Sequence, residues 1–575
     1  MSDPIDSSFA GTGHEHDTFD FVIVGAGSAG CVLANRLATA GARVAILEAG
    51  RDTPPTAVPA DIIDTYPRSY FNEDYMWPGL RVDLGAVGRP GVTPFPQARV
   101  MGGGSSVMGM MAVRGIPDDY DAWAAYGAQG WAWSDVLPAF RRLETDWDFD
   151  GPLHGKDGPV AIRRHRLEDW PPFVRAVAEA ASGHGFPLVD DMNGDFRDGY
   201  CRVPLSATLA SRVSTASAYL GAKTRALANL SIECNTIVTR VLFEGTRCTG
   251  VEAISRGRRR AFRAAHVILT AGAIQSPTIL LRSGIGPSGH LETVGVPTLV
   301  PLHGVGANLQ NHPVVYLATH LRPEARQSAL LRPQFNACLR FSSSDDPDMR
   351  SDMVILVMNK SSWHGLGQAV AGLGIGLYSP VSRGTVRLAS ANPVQYPDVC
   401  FGMLTDRRDS RRMMSGLRLA LDLMQDPAVW PHRHELFATG YSETVRRLNR
   451  PSRWNVVITK LLAEMLDGPD VIRHMMIRWG IAHGDADESR MHDVSWMART
   501  VQARTFGMYH PAGTCRMGDA PAAGAVVDTR CRVHGTDGLS VVDASVMPRL
   551  VRGSTNVPVI MVAEQAAELI LRDAR

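Results

Sequence analysis

The residues whose types and spacing could do chemistry begin near the start of the chain. Gly25-Ala26-Gly27-Ser28-Ala29-Gly30 supplies G-x-G-x-x-G, and Glu48 follows Gly25 by 48 − 25 = 23 residues. That is near the ~20 expected of a carboxylate that meets a ribose hydroxyl. The first glycine makes a tight turn, the second lets backbone approach a pyrophosphate, and the third lets helix close on strand. At this point NAD and FAD fit equally. A second cluster, Arg99-Val100-Met101-Gly102-Gly103-Gly104-Ser105-Ser106, can press flat against a ligand and offer N–H and hydroxyl donors. Taken alone it also reads as a flexible loop. The 18 histidines offer candidate bases, since an imidazole with a reference pKa of ~6.5 is largely neutral at working pH. Residue type alone singles out none of them. The eight cysteines (31, 201, 234, 248, 338, 400, 515 and 531) form no C-x-x-C pair. That speaks against a metal site and a disulfide framework and suits a reducing compartment.

These residues need elements to position them. Phe19 to Val24 reads as a buried strand, Cys31 to Leu37 as a helix, and Arg43 to Leu47 as a second strand ending at Glu48. The helix N-terminus then offers free N–H groups and a partial positive charge to phosphates. Asp118 to Arg142, with tryptophans 123, 131 and 133, reads as helical and packed on this first unit. A Gly-, Asp- and Pro-rich stretch over 151–210 holds one clear helix, Phe173 to Ala181. Leu230 to Phe243, Cys248 to Ser255 and His266 to Thr270 read as strands, with Arg256 to Arg260 as a solvated hairpin turn. A helix from Ser276 to Arg282 stops at Gly284. Farther on, Asp352 to Asn359, Gly374 to Tyr378 and Gly384 to Ala389 read as strands of a separate sheet, and Asp409 to Met424 as a helix. Trp454, Ile458, Leu461 and Met465, then Ile472, Met475 and Trp479, recur at helical spacing. They are expected to form a helical pair buried on the second domain, with a lid or membrane-surface helix as the alternative. Leu539 to Asp543 is a strand ending in an acid, and Gly553 to Pro558 opens a helix to about 571. That is a return to the dinucleotide domain.

The 575 residues suffice for several domains, and 45% hydrophobic with 20% charged residues is an ordinary globular composition. A formal net charge of +1 gives no reason to expect nucleic acid as a partner. Residues 1–18 are polar and acidic without an apolar core, so a loose tail is expected rather than a signal peptide. The longest uncharged run, Gly365 to Ser382, is glycine-rich and a poor membrane span. A cytoplasmic protein is expected, with peripheral membrane association left open.

Gly272-Ala273-Ile274-Gln275-Ser276-Pro277 through Gly286, His510-Pro-Ala-Gly-Thr-Cys-Arg-Met-Gly518 and Ser554-Thr-Asn556-Val-Pro558 together resemble the glucose–methanol–choline (GMC) oxidoreductases, flavoproteins that oxidise alcohols. The likeness runs from about 19 to 572 and is nearest to the choline-dehydrogenase-like and hydroxymethylfurfural or aryl-alcohol oxidase branches. It implies an α/β (overall α+β) fold. A Rossmann-like FAD domain would comprise 19–150, 215–320 and 511–575. A discontinuous substrate domain on an antiparallel sheet would comprise 151–214 and 321–510.

The resemblance implies FAD contacts at Gly25, Gly27, Ser28, Ala29, Gly30, Glu48 and Ala49 in the first unit. It adds Arg99, Gly102, Gly103, Ser105, Ser106 and Met108 in the second glycine cluster. Val238, Ala271, Gly272, Asp543, Ala544, Asn556, Val557 and Pro558 complete the set. Val107 stands where some members carry a flavin-linking histidine, so FAD is expected to be non-covalent. Met108 replaces the family's usual asparagine, and Met101 an aliphatic residue. His510 is the implied base and Asn556 its partner at the substrate oxygen; no metal is implied. The expected reaction converts an alcohol, as a primary alcohol to its aldehyde, with electrons passed to O2 or to a quinone or other carrier. A hydroxynitrile-lyase-like flavoprotein of the same fold and an NAD-dependent dehydrogenase are the alternatives. A light-driven decarboxylase would lack His510.

Overall fold

The computed structural model describes residues 18–85, 91–328, 331–343, 350–440, 443–481 and 487–573. Of the tail expected over 1–18, all but Thr18 lies outside these residues, as does the side chain of Trp479.

The first sheet forms because apolar β-branched runs from distant parts of the chain pair in parallel. Thr18–Val24 lies between Val44–Leu47 and Arg258–Leu269, with Phe21 opposite Val44 and His266. Leu230–Glu233 flanks Val44–Leu47, and Leu539–Val541 pairs with Arg258–Leu269. Thr236–Glu244 and Arg247–Ser255 extend the sheet antiparallel. The stretch expected as one strand from Leu230 breaks at Asn235, whose φ is +54°. The arginine-rich hairpin turns at Arg256 and Gly257, φ +48° and +77°. Helices Ser28–Thr39 and Asn556–Asp573 pack on each other over this sheet, and Trp133–Leu143 packs on the latter. The helical stretch expected over 118–142 is two helices, Pro117–Ala125 and Trp133–Leu143, parted by Gly127 and Gly130 at positive φ. Trp123 and Trp131 donate their indole N–H groups to the carbonyls of Arg549 and Thr529. The N-terminal unit is thereby tied to the last segment of the chain.

The second sheet has its own apolar core. Pro313–Leu321, Val370–Leu377, Met353–Met358, Phe335–Phe341 and Gly199–Arg202 run antiparallel, with Arg433–Thr439 on the outer edge of Pro313–Leu321. Helix Arg407–Gln425 covers it. Two expectations change here. Pro313–Leu321 belongs to this sheet, although a boundary at 320 assigns nearly all of it to the first domain. Thr385–Arg387 joins a separate small sheet with Asp398–Cys400 and two strands over 81–94.

The segment 453–481 is helical, but its expected burial is wrong. Arg453–Leu466 seats itself through Thr459, Ala463 and Leu466, while Trp454, Leu461 and Met465 are 77%, 56% and 49% exposed. In Asp470–Met475, Val471 and Met475 are 75% and 61% exposed. Apolar periodicity identified the helix; small residues on the opposite face decided which side packs. Among the described residues no helix is long and apolar enough to cross a membrane.

Candidate active site

Residues 19–50 fold into a loop that bares backbone donors. Gly25 (φ +103°) makes the turn, and a Cβ on it would meet the Thr270 carbonyl at 2.8 Å. A Cβ on Gly30 would lie 1.9 Å from the Gly25 carbonyl, so helix can close on strand only at a glycine. Gly27 differs: its Cβ would meet only the Thr270 carbonyl, at 4.0 Å. Gly27 is also the uncapped N-terminus of helix Ser28–Thr39, with no acidic residue in the first turn. The free N–H groups and the positive helix end therefore suit an anion. Against this loop lies Gly103, whose Cβ would come within 2.8 Å of the Gly27 Cα.

Glu48 is buried with each carboxylate oxygen taking a backbone N–H, from Ala26 and Gly50, both at 2.8 Å. Burial pushes its pKa upward against those donors. Asp543 is likewise buried and pushed upward; it accepts from the N–H of Gly272 (2.8 Å) and the hydroxyl of Ser276 (2.6 Å). Both acids thus brace the walls of a cleft of about 410 Å³. Gly25, Gly27, Ser28, Ala29, Glu48, Ala49, Arg99, Gly103, Met108, Val238, Ala271, Gly272, Asp543 and Ala544 all line it.

The remaining expected residues stand differently. Gly30, Gly102 and Ser106 lie behind the wall, Ser106 donating to the Met101 carbonyl at 2.7 Å. Val557 and Pro558 are buried in the start of helix Asn556–Asp573, and their neighbours Thr555 and Val559 line the cleft instead. Ser105 faces a second cavity.

That second cavity, about 520 Å³, shares Ser28, Gly104, Met108, Tyr509, Thr555 and Val559 with the cleft and contains His510 and Asn556. His510 is placed by an antiparallel clasp between 310–314 and 506–512. Met508 N–H donates to the His312 carbonyl (2.9 Å), His510 N–H to Asn311 Oδ1 (2.9 Å) and Gln310 N–H to the Ala512 carbonyl (2.9 Å). Tyr509 takes φ +62° so that His510 turns into the cavity. Its Nδ1 lies 2.8 Å from Nδ1 of His312, with the two rings edge to face. Burial lowers the pKa of His510 from 6.5 to about 4 and, with His510 beside it, holds that of His312 well below its usual value.

His312, Gln310 and Asn311 escaped the sequence reading, because nothing in the spacing of 312 and 510 announces a contact. Arg212 was missed for the same reason. Buried, it donates to the carbonyls of Met108 (2.5 Å) and Ser105 (3.2 Å) and so clamps the second glycine cluster. Asn556 Oδ1 accepts from Ser28 Oγ at 2.7 Å, which leaves the amide N–H₂ free to donate elsewhere.

The cleft fits FAD on these observations. A glycine that no protein atom crowds sits at a helix N-terminus, and a continuous wall leads to a second cavity holding a neutral histidine. Glu144, Asp146 and His154 also gather, with Arg114 on Glu144 Oε1, Arg164 on Asp146 and Asp191 on His154 Nε2 at 2.7 Å. With two guanidinium groups among its carboxylates, that cluster is an ion network.

Comparison with known proteins agrees with this architecture. Two GMC oxidoreductase family models match residues 19–314 and 380–563. 5-(Hydroxymethyl)furfural oxidase of Methylovorus sp. (strain MP688) is 37% identical over 571 residues, 97% of this chain and 99% of that protein. Human mitochondrial choline dehydrogenase is 33% identical, covering 98% and 91%. The crystal structure of pyridoxine 4-oxidase from Mesorbium loti superposes with a TM-score of 0.79 at 26% identity, covering 96% and 99%. Two sheets drawn from remote segments, a glycine-lined cleft and matches along most of the chain lead to one conclusion: the chain belongs to the GMC oxidoreductases.

Proposed function

We propose that this enzyme oxidises an uncharged primary alcohol to its aldehyde with non-covalently held FAD, using His510 as the base. The observation that carries this is a buried, neutral His510, fixed by His312, in a cavity that adjoins the FAD cleft. Gly27 and the helix start at Ser28 would hold the pyrophosphate, and Glu48 would face the adenosine ribose. When bound, FAD accepts the hydride that leaves the alcohol carbon.

The chain's own residues handle the proton. The backbone carbonyls of Tyr378 and Val551 favour a proton on the His312 ring, whose Nε2 makes no regular hydrogen bond of its own. With that proton on Nε2, His312 Nδ1 is an acceptor. His510 must then donate from Nδ1, and its Nε2 lone pair is left bare for the substrate hydroxyl. The Asn556 N–H₂ group can donate to the substrate oxygen as negative charge develops there. Among the described residues the lining contains Met110, Met111, Phe335, Leu356 and Phe506 but no carboxylate, and its one described guanidinium is Arg504. With no described carboxylate to pair a cation, we read the cavity as suited to a neutral, aryl- or furan-like alcohol that can stack on the rings of Tyr70, Phe71, Tyr316 and Phe437. The same rings are what a quaternary ammonium would need, and choline is the control that separates the two.

Anaerobic mixing tests the reading. A neutral aromatic primary alcohol should bleach the flavin and choline should not. His510→Ala should slow bleaching by roughly 10²–10⁴-fold; an unchanged rate would remove His510 as the base. Repeating turnover with oxygen and with an artificial acceptor identifies which one re-oxidises the flavin.

A further inference from the structure

Helix Arg453–Leu466 carries its wide apolar stripe on the side turned away from the protein. Trp454, Ile458, Leu461 and Met465 recur at i, i+4, i+7 and i+11, which is one face of a helix. The seat formed by Thr459, Ala463 and Leu466 lies roughly opposite. Val471, Ile472 and Met475 of the next helix are exposed as well. No described residue covers these side chains, and a globular protein rarely leaves so large an apolar set in water without a partner.

Charge indicates the occupant. From Thr444 to Met475 the sequence holds Arg446, Arg447, Arg450, Arg453, Lys460 and Arg473 against Glu464, Asp467 and Asp470, and the last two acids pair with Arg326 and Arg473. Arg446 and Arg450 reach Glu73, and Lys460 lies 3.9 Å from Glu464. Arg447, Arg450, Arg453 and Lys460 are exposed. A second copy of this chain would oppose like charges, because a two-fold contact sets the same patch against itself. A bilayer with anionic lipids meets both features, with apolar side chains among the acyl ends and cations at the headgroups. The segment also joins the substrate cavity. Val445, Leu448 and Asn449 line it just before this helix, and Leu366 lines it from helix Gly365–Ala369, on which Arg453–Leu466 packs.

We propose that the face formed by Trp454, Ile458, Leu461, Met465, Val471 and Met475 seats the enzyme on an anionic membrane surface, beside the cavity through which a lipophilic alcohol would pass. Flotation of the FAD-loaded enzyme with phosphatidylcholine vesicles, with and without phosphatidylglycerol, tests this. Wild type should float with the anionic vesicles. The double variant Ile458→Glu/Leu461→Glu should lower the vesicle-bound fraction at least about tenfold, since a carboxylate enters the acyl region at high cost. Arg453→Glu/Lys460→Glu should weaken only the anionic case. Both should keep flavin absorbance and turnover of a water-soluble alcohol, so loss of seating is distinct from failure of the proposed chemistry. Wild type that stays unbound to either vesicle would overturn the proposal. So would a dimer, seen by light scattering, that the first variant splits while wild type ignores vesicles; the face would then serve a second copy.

Discussion

At the scale of single residues, the proposed function rests on the protonation and tautomer of one imidazole. As the proposed base His510 must be neutral, and burial lowers its pKa from 6.5 to about 4. The expected kcat/KM is therefore full at neutral pH and declines as pH falls through about 4, the limb vanishing in His510→Ala. The same depression lowers stability on acidification, because the unfolded chain takes up that proton from about 6.5 downward. In the proposed chemistry His312 acts through His510 and is a positioning residue. His312→Ala should reduce kcat by at least about tenfold, up to the loss expected for the base itself, with little change in KM. His312→Gln keeps an acceptor oxygen and should recover part of the rate. Equal kcat in the alanine variant and wild type would refute the tautomer argument. Sequence could nominate His510 only through its resemblance to a family block. His312, 198 residues earlier, carried no comparable signal.

At the scale of elements, the glycine turn separates two jobs that one motif combines. Gly30 serves the fold, since a Cβ would strike the Gly25 carbonyl at 1.9 Å. Gly27 leaves room for a ligand, since a Cβ there meets protein only at 4.0 Å. Gly30→Ala should lower thermal stability by about 1–3 kcal/mol, as over-packing does. Gly27→Ala should leave the melting temperature of the apoprotein nearly unchanged while FAD affinity falls by about tenfold or more, read by flavin retained on a desalting column. Comparable stability losses in both variants would contradict this division. The strand, turn and helix carrying these glycines were legible in sequence because local pattern and local fold coincide there. Helix 453–466 was half legible: periodicity gave the helix, but the side it buries depends on what lies beneath Thr459 and Ala463.

At the scale of the whole molecule, remote segments are joined by buried polar ties. Arg114, Glu144, Asp146, His154, Arg164 and Asp191 form one network, in which three carboxylates balance two guanidinium groups and a protonated imidazole. Asn193 extends it to the stretch that follows the second glycine cluster, its amide donating to the Ala112 carbonyl and accepting from the Arg114 N–H. Hydrogen bonds to Asp146, Asp191 and Glu144 outweigh burial and raise the His154 pKa to about 10. Because the folded value lies above the unfolded one, this stabilisation is complete below about 6.5 and is lost as pH rises through about 10. Melting temperature should therefore fall between pH 8 and 10 in wild type. His154→Ala should be destabilised by about 3–5 kcal/mol at neutral pH, as expected when one partner of a buried charge set is removed, and should lose that alkaline slope. A slope that persists unchanged would mean other groups cause it.

The sequence alone determined the local turn geometry, the strands and helices that frame it, and the acids that close two strand ends, because these depend on neighbours within a few residues. Only the tertiary structure decided that His312 meets His510, that Asn556 is held by Ser28, and that an apolar helix face looks outward. Each of these depends on which distant surfaces meet, and hydrophobic burial drives that meeting without recording the partner in either segment.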